Sequence, residues 1–112
     1  TGVHAVMLAP PLSEIDDVVS NIERSGIDLV CIGVEEQGSR LCVSMDDRSA
    51  SLELTEHLIE LGHRDIAIIH GPPDHKRASK QRLECFRSAM SKNGLAINDR
   101  HVAGGDFTML SG

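Results

Sequence analysis

The 112-residue sequence has no tryptophan, no tyrosine and only two phenylalanines. That scarcity removes the aromatic platform on which single-stranded nucleic acids stack their bases. Basic residues are also few: 11 against 17 acidic ones, for a formal net charge of −6. Nucleic-acid binders usually present a basic face, so the segment is expected to repel phosphate backbones and not to touch DNA itself. No apolar run approaches the ~18 residues of a membrane helix, so no membrane partner is expected. Cysteine is sparse. Cys31, Cys42 and Cys85 cannot all pair, and none lie at C-x-x-C spacing. Cys31 lies in an apolar run and reads as a small core residue, and reduced cytoplasmic thiols are the expected state. The N-terminus, Thr1-Gly2-Val3-His4, lacks the basic n-region of a signal peptide. Its start almost inside an apolar run suggests a piece of something longer.

What is present is an ordinary globular composition, 40% hydrophobic and 25% charged. A domain of this length buries roughly 65% of its unfolded surface and needs no disulfide framework or structural metal. The periodicity switches repeatedly between strand and helix. His4–Ala9 (HAVMLA) is a short apolar run closed by Pro10-Pro11 and reads as a buried strand. Ser13 is expected to cap a helix whose first turn carries Glu14, Asp16 and Asp17, with Ile15, Val18, Val19 and Ile22 on one face and Gly26 at its end. Leu29–Val34 (LVCIGV) and Leu41–Met45 (LCVSM) read as strands. Asp46 or Asp47 caps the next helix, whose inward stripe is expected to be Ala50, Leu54, His57, Leu58 and Leu61. Ile66–Ile69 (IAII) is a fourth strand, stopped by Gly71-Pro72-Pro73. Ser79 is expected to cap a third helix with Leu83, Phe86, Ala89 and Met90 inward, and His101–Ala103 starts a fifth strand.

Largely apolar strands alternating with helices predict an α/β, doubly wound parallel sheet covered on both faces. Ligands of such folds bind outside the carboxyl ends of the strands, here the loops after Ala9, Val34, His70 and Ala103. Several chemistries find no support there. Gly71 is followed by prolines, which remove the backbone donors of a phosphate cradle. No G-x-S-x-G nucleophile elbow exists. His70 and His75 are five apart across two prolines, so they read as a strand-end and a loop histidine and not as a metal pair. His57 and His63 read as helix-edge residues. Asp46-Asp47 is better read as a cap than as the acid pair of a receiver domain, and no catalytic residue, metal or cofactor is expected. Arg82 stands out. In the first turn of a helix a cation opposes the helix dipole, at about 0.3–1 kcal/mol. Its planar fork suits paired oxygens such as vicinal hydroxyls or a carboxylate, the alternative being a surface pair with Glu84 or Asp106. Phe107, just past a strand end, could stack on a sugar ring or plug the core under its loop.

The stretch HLIELGHRDIAIIHGPPDH, then RLECFRSAM, then GGDFTMLSG, between His57 and Gly112, resembles the effector-binding domain of LacI/GalR-type bacterial transcriptional repressors. VSMDDRSASLELTEHL upstream fits as well, and GVHAVMLAPPLSE and GIDLVCIG fit more loosely. The resemblance implies a periplasmic-binding-protein-like architecture of two α/β subdomains joined by crossover strands, present here incompletely. Residues 1–44 would be the latter part of the N-terminal subdomain, and residues 45–112 the first part of the C-terminal one. It also implies a dimeric cytoplasmic regulator that binds a small sugar-like effector between its subdomains. DNA would be reached only through a helix-turn-helix head outside this chain. Arg82 matches the family arginine that grips ligand oxygens, and Phe107 the aromatic that packs on the ligand. The first two strands end at Ala9 and Gly33, where many members hold polar side chains, so this edge offers no side-chain hydrogen bonds. Cys85 replaces a usual glycine. The alternative from another class is a sugar-binding receptor of a transport system.

Overall fold

A computed structural model describes residues 2–72 and 77–111, so His75 and Pro73 lie outside the described residues. The chain forms two compact units, Thr1–Met45 and Asp46–Gly112.

In the first unit, β1 (Ala5–Leu8), α1 (Asp16–Arg24), β2 (Asp28–Ile32) and β3 (Leu41–Val43) follow in chain order. The strands form a parallel sheet in the order β1-β2-β3, with Leu8 opposite Cys31 and Cys31 opposite Cys42. Because side chains alternate along a strand, one set faces α1 and the other faces away. Leu8, Val19, Cys31 and Val34 form the buried core, flanked by Val18, Ile22, Leu29 and Cys42. Burial, with Cys42 beside it, pushes the Cys31 thiol pKa up. Met7, Leu41 and Val43 lie on the open side and are exposed. Among the described residues α1 is this unit's single α-helix, so the helical cover seen here lies on one face of the sheet.

The start of α1 also departs from expectation. Ser13 is not its cap: it sits in a 3-10 turn, Leu12–Glu14, and the helix begins after Ile15 with no side-chain cap. Ser13 is buried, and its Oγ donates to the Ile32 carbonyl at 2.9 Å. The hydroxyl thus satisfies the end of β2 instead of a helix N-terminus. Asp16 and Asp17 in the first turn supply the favourable charge at that helix end.

In the second unit, α2 (Asp47–Glu60), β4 (Ile68–His70), α3 (Ala78–Lys92) and β5 (Val102–Gly104) follow, with β4 and β5 parallel. α3 behaves as its periodicity predicts. Phe86, Ala89 and Met90 are buried, with Leu83 partly so, and Phe86, Met90 and Leu83 share a cluster with Ile59, Ile66, Ile68 and Val102. Burying a side chain such as Phe86 contributes roughly 1.5–3 kcal/mol. The face of α2 is corrected. The stripe Ala50, Leu54, His57, Leu58 and Leu61 is exposed, whereas Thr55 and Ile59 are buried. The helix is rolled by about one residue, roughly 100°, to set the narrow Thr55–Ile59 strip inward. Thr55 is tolerated there because its Oγ1 donates to the Ser51 carbonyl at 2.8 Å.

Candidate functional site: the carboxyl ends of the strands

In the first unit, Ala9 and Gly33 follow the paired strands β1 and β2. Gly33 has φ +77, and a Cβ there would stand 2.7 Å from Cγ of Pro10. Both the conformation and the close approach require glycine. Its N–H donates to the Val43 carbonyl at 2.8 Å, while the Ala9 carbonyl accepts from Ser13 N–H at 3.2 Å. This edge is therefore smooth, built of backbone and the Pro10 ring.

In the second unit, the ends of β4 and β5 and the start of α3 converge. Ser79 is not the helix cap. Arg77 occupies the cap position, Ser79 lies inside the first turn and is buried, and its Oγ accepts from Gly71 N–H at 2.8 Å. Phe107 follows β5 with φ +63, a conformation uncommon outside glycine. Its ring lies against Gly71, where an added Cβ would run into Phe107 Cζ and would also meet Ser79 Oγ at 2.5 Å. Phe107 is nonetheless 71% exposed, so it is no core plug and presents a ring surface outward. Strained backbone that displays an exposed aromatic is the combination expected of a binding element. Asp106, beside it, has its carboxyl held down to about 2 by the Ser111 hydroxyl and then by the Thr108 hydroxyl and N–H.

Arg82 lies in the second turn of α3, not the first, because the helix starts at Ala78. Its partner is neither Glu84 nor Asp106. Nε and Nη2 both donate to Asp47 Oδ1, at 2.8 and 2.6 Å. Glu84 instead lies 3.6 Å from Arg48. The Arg82 carbonyl accepts from Ser51 Oγ at 3.0 Å, so the first two turns of α2 hold Arg82 by its side chain and its backbone. Asp46 is the true cap of α2, with Oδ1 accepting from Ser49 N–H at 3.0 Å and Oδ2 from the Ser49 hydroxyl. Those two bonds, side chain first, lower the Asp46 pKa.

The second unit thus brings Phe107, Gly71 and Ser79 together, with Arg82 one turn beyond Ser79 on α3. Ala9 and Gly33 belong to the first unit. Sequence reasoning missed Asp47 and Gly71 as site elements. The available signal for Asp47 was that only one of two adjacent acids can cap a helix. His70 is a strand-end residue, its Nδ1 2.7 Å from the Gly71 carbonyl. Among the described residues no group of three metal-ligating side chains occurs, and no helix is long and apolar enough to cross a membrane.

The family described as periplasmic binding proteins and the sugar binding domain of the LacI family matches residues 1–112. The chain belongs to this family. The HTH-type transcriptional regulator AscG of Escherichia coli K12 is 27% identical over 109 residues, 96% of this chain and 32% of AscG. The ribose operon repressor of the same organism is 45% identical over 58 residues, 52% of this chain and 17% of that protein. Among solved structures, a complex of the transcriptional regulator CelR with cellobiose superposes with a TM-score of 0.78 at 33% identity, covering 98% of this chain and 34% of that one. The chain spans about a third of the length of the first of these relatives. Its fold is that of LacI-type effector domains, mixed α/β with parallel strands.

Proposed function

We propose that this chain is part of the effector-sensing domain of a LacI-type bacterial transcriptional regulator and binds a small sugar or sugar derivative. The observation that carries this reading is the family match across every residue from 1 to 112, to a sugar-binding domain. The relatives named above are transcriptional regulators, which favours this reading over a transport receptor and over an enzyme.

In this reading residues 1–44 come from the N-terminal subdomain and residues 45–112 from the C-terminal one. Arg82 donates to effector hydroxyl oxygens, and Phe107 packs on the face of the sugar ring, where apolar C–H groups meet an aromatic surface. Ala9 and Gly33 give the first unit's edge a surface without side-chain donors, which suits ring faces and larger substituents. The protein acts as a cytoplasmic homodimer and reaches DNA through a separate head. The effector alters operator affinity only by as much as it binds one conformation more tightly than the other.

The test is calorimetric titration of the full-length protein with ribose and with cellobiose, in wild type and Arg82→Ala. A hydrogen bond from a charged donor is worth about 1.5–3 kcal/mol, so the variant should lose roughly 10- to 150-fold in affinity for whichever sugar binds. Equal affinity in the two proteins removes Arg82 from the site.

A further inference from the structure

We propose that Asp47 sets the ligand class of this site, pairing with Arg82 so that uncharged polyols are accepted and sugar acids are refused. The proposal rests on the reading of Arg82 as an effector-binding residue and deepens it. Asp46 already serves the helix cap, so Asp47, the first residue of α2, is released to face α3. Its carboxylate is mostly covered, at 15% exposure, while the Arg82 side chain is 45% exposed. The acid therefore lies beneath and the guanidinium above it.

The bonding pattern carries the chemistry. Both contacts from Arg82 end on Oδ1 of Asp47. They use two of the five guanidinium N–H groups and leave three directed elsewhere. Neither uses Oδ2. The pair thus combines N–H donors with a carboxylate oxygen that can accept. A vicinal diol answers both halves, with one hydroxyl oxygen accepting from Arg82 and a neighbouring O–H donating to Oδ2. A carboxylate or phosphate has only acceptors and leaves Oδ2 facing a like charge. The net charge of the pair is zero, so an incoming anion gains little from Arg82 that Asp47 has not already taken. Asp46, kept ionised at the adjacent position, adds a further negative charge. Asp47 thus acts in two ways, through Oδ1 as the residue that positions Arg82 and through Oδ2 as an acceptor for the ligand.

The test titrates the full-length protein with pairs that keep the sugar ring and differ in charge, ribose against riburonate and cellobiose against cellobiouronate, in wild type and Asp47→Asn. In wild type the neutral sugar should bind at least tenfold more tightly than its own acid. In Asp47→Asn the neutral-to-acid ratio should fall at least tenfold, because the asparagine oxygen still accepts from Arg82 while the charge is gone. A structural role alone would weaken both ligands together and leave the ratio unchanged. An unchanged ratio, or a wild type that prefers the acid, overturns the proposal while sugar sensing stands. If Asp47→Asn fails to fold, the wild-type ratio decides. Should neither member of either pair bind wild type, the sugar-sensing reading falls, and this inference falls with it.

Discussion

The ring of Phe107 occupies the space in which a side chain at Gly71 would stand, with Cζ at 2.2 Å and Cε2 at 2.7 Å from the place of a Cβ. Ser79 Oγ lies 2.5 Å from the same point. The two neighbours respond differently to crowding. Phe107 is largely exposed and can swing away, whereas Ser79 is buried and holds the Gly71 N–H. Gly71→Ala should therefore leave the protein folded but less stable, by about 1–3 kcal/mol for an overpacked site. It should also weaken sugar binding as strongly as Phe107→Ala does. Thermal melts and calorimetric titration of both variants check this. Unaltered binding in Gly71→Ala would show that the ring position is irrelevant to the ligand.

Phe107 itself should display a conflict between stability and binding. Its φ of +63 disfavours any residue with a Cβ, by roughly 1–2 kcal/mol. Glycine removes that strain, and the exposed ring sacrifices little burial. Glycine also loosens the unfolded chain, which offsets part of the gain. Phe107→Gly is thus expected to melt at or slightly above the wild-type temperature while losing most of its sugar affinity. A large drop in melting temperature would mean that the ring supports the core.

Much of the architecture was legible in the sequence, for a local reason. Short apolar runs closed by Pro10-Pro11 or Gly71-Pro72 announce strands, and the α3 pattern of Phe86, Ala89 and Met90 announces its own inward face. The misses share a different cause. Ser13 and Ser79 satisfy every local rule for a helix cap. Their hydroxyls are claimed instead by partners brought near by the fold, the Ile32 carbonyl and the Gly71 N–H. Arg82 and Asp47 are 35 residues apart, and nothing in the spacing of either names the other. Family resemblance singled out Arg82 as a candidate but did not show what holds it.

The rolled face of α2 gives a direct comparison within one helix. By hydrophobicity Leu54 should be inside and Thr55 outside, yet Leu54 is 67% exposed and Ile59 is 6% exposed. Ile59 meets Ile66, Phe86 and Met90. In this 112-residue chain Ile59→Ala should cost about 2–5 kcal/mol, since it opens a cavity among those neighbours. Leu54→Ser should change stability by no more than about 0.5 kcal/mol, as for other exposed positions. Urea unfolding of the two variants separates the faces. Equal losses would place Leu54 inside after all.

Acid should loosen the turn that carries Phe107. Asp106 is the anchor of that turn, accepting from Thr108 N–H at 2.9 Å, while its own N–H donates to Ser111 Oγ at 3.0 Å. The Ser111 hydroxyl, and then Thr108, favour the ionised carboxyl and lower it from 3.8 to about 2. A group whose pKa is depressed in the folded state stabilises it fully above the unfolded value and loses that contribution as pH falls through the folded value. Asp106 therefore supports the turn undiminished at pH 5 and progressively less from about pH 4 down to pH 2. Replacing it with asparagine removes the proton that couples the turn to pH, so Asp106→Asn should lose less melting temperature than wild type across that interval. Asp46 and Glu23, which are also lowered, keep part of the slope in both proteins. Carboxyl-carbon NMR gives the site-specific check. An Asp106 midpoint near 3.8 would mean that the turn does not hold the carboxylate, and the left-handed placement of Phe107 would then need another cause.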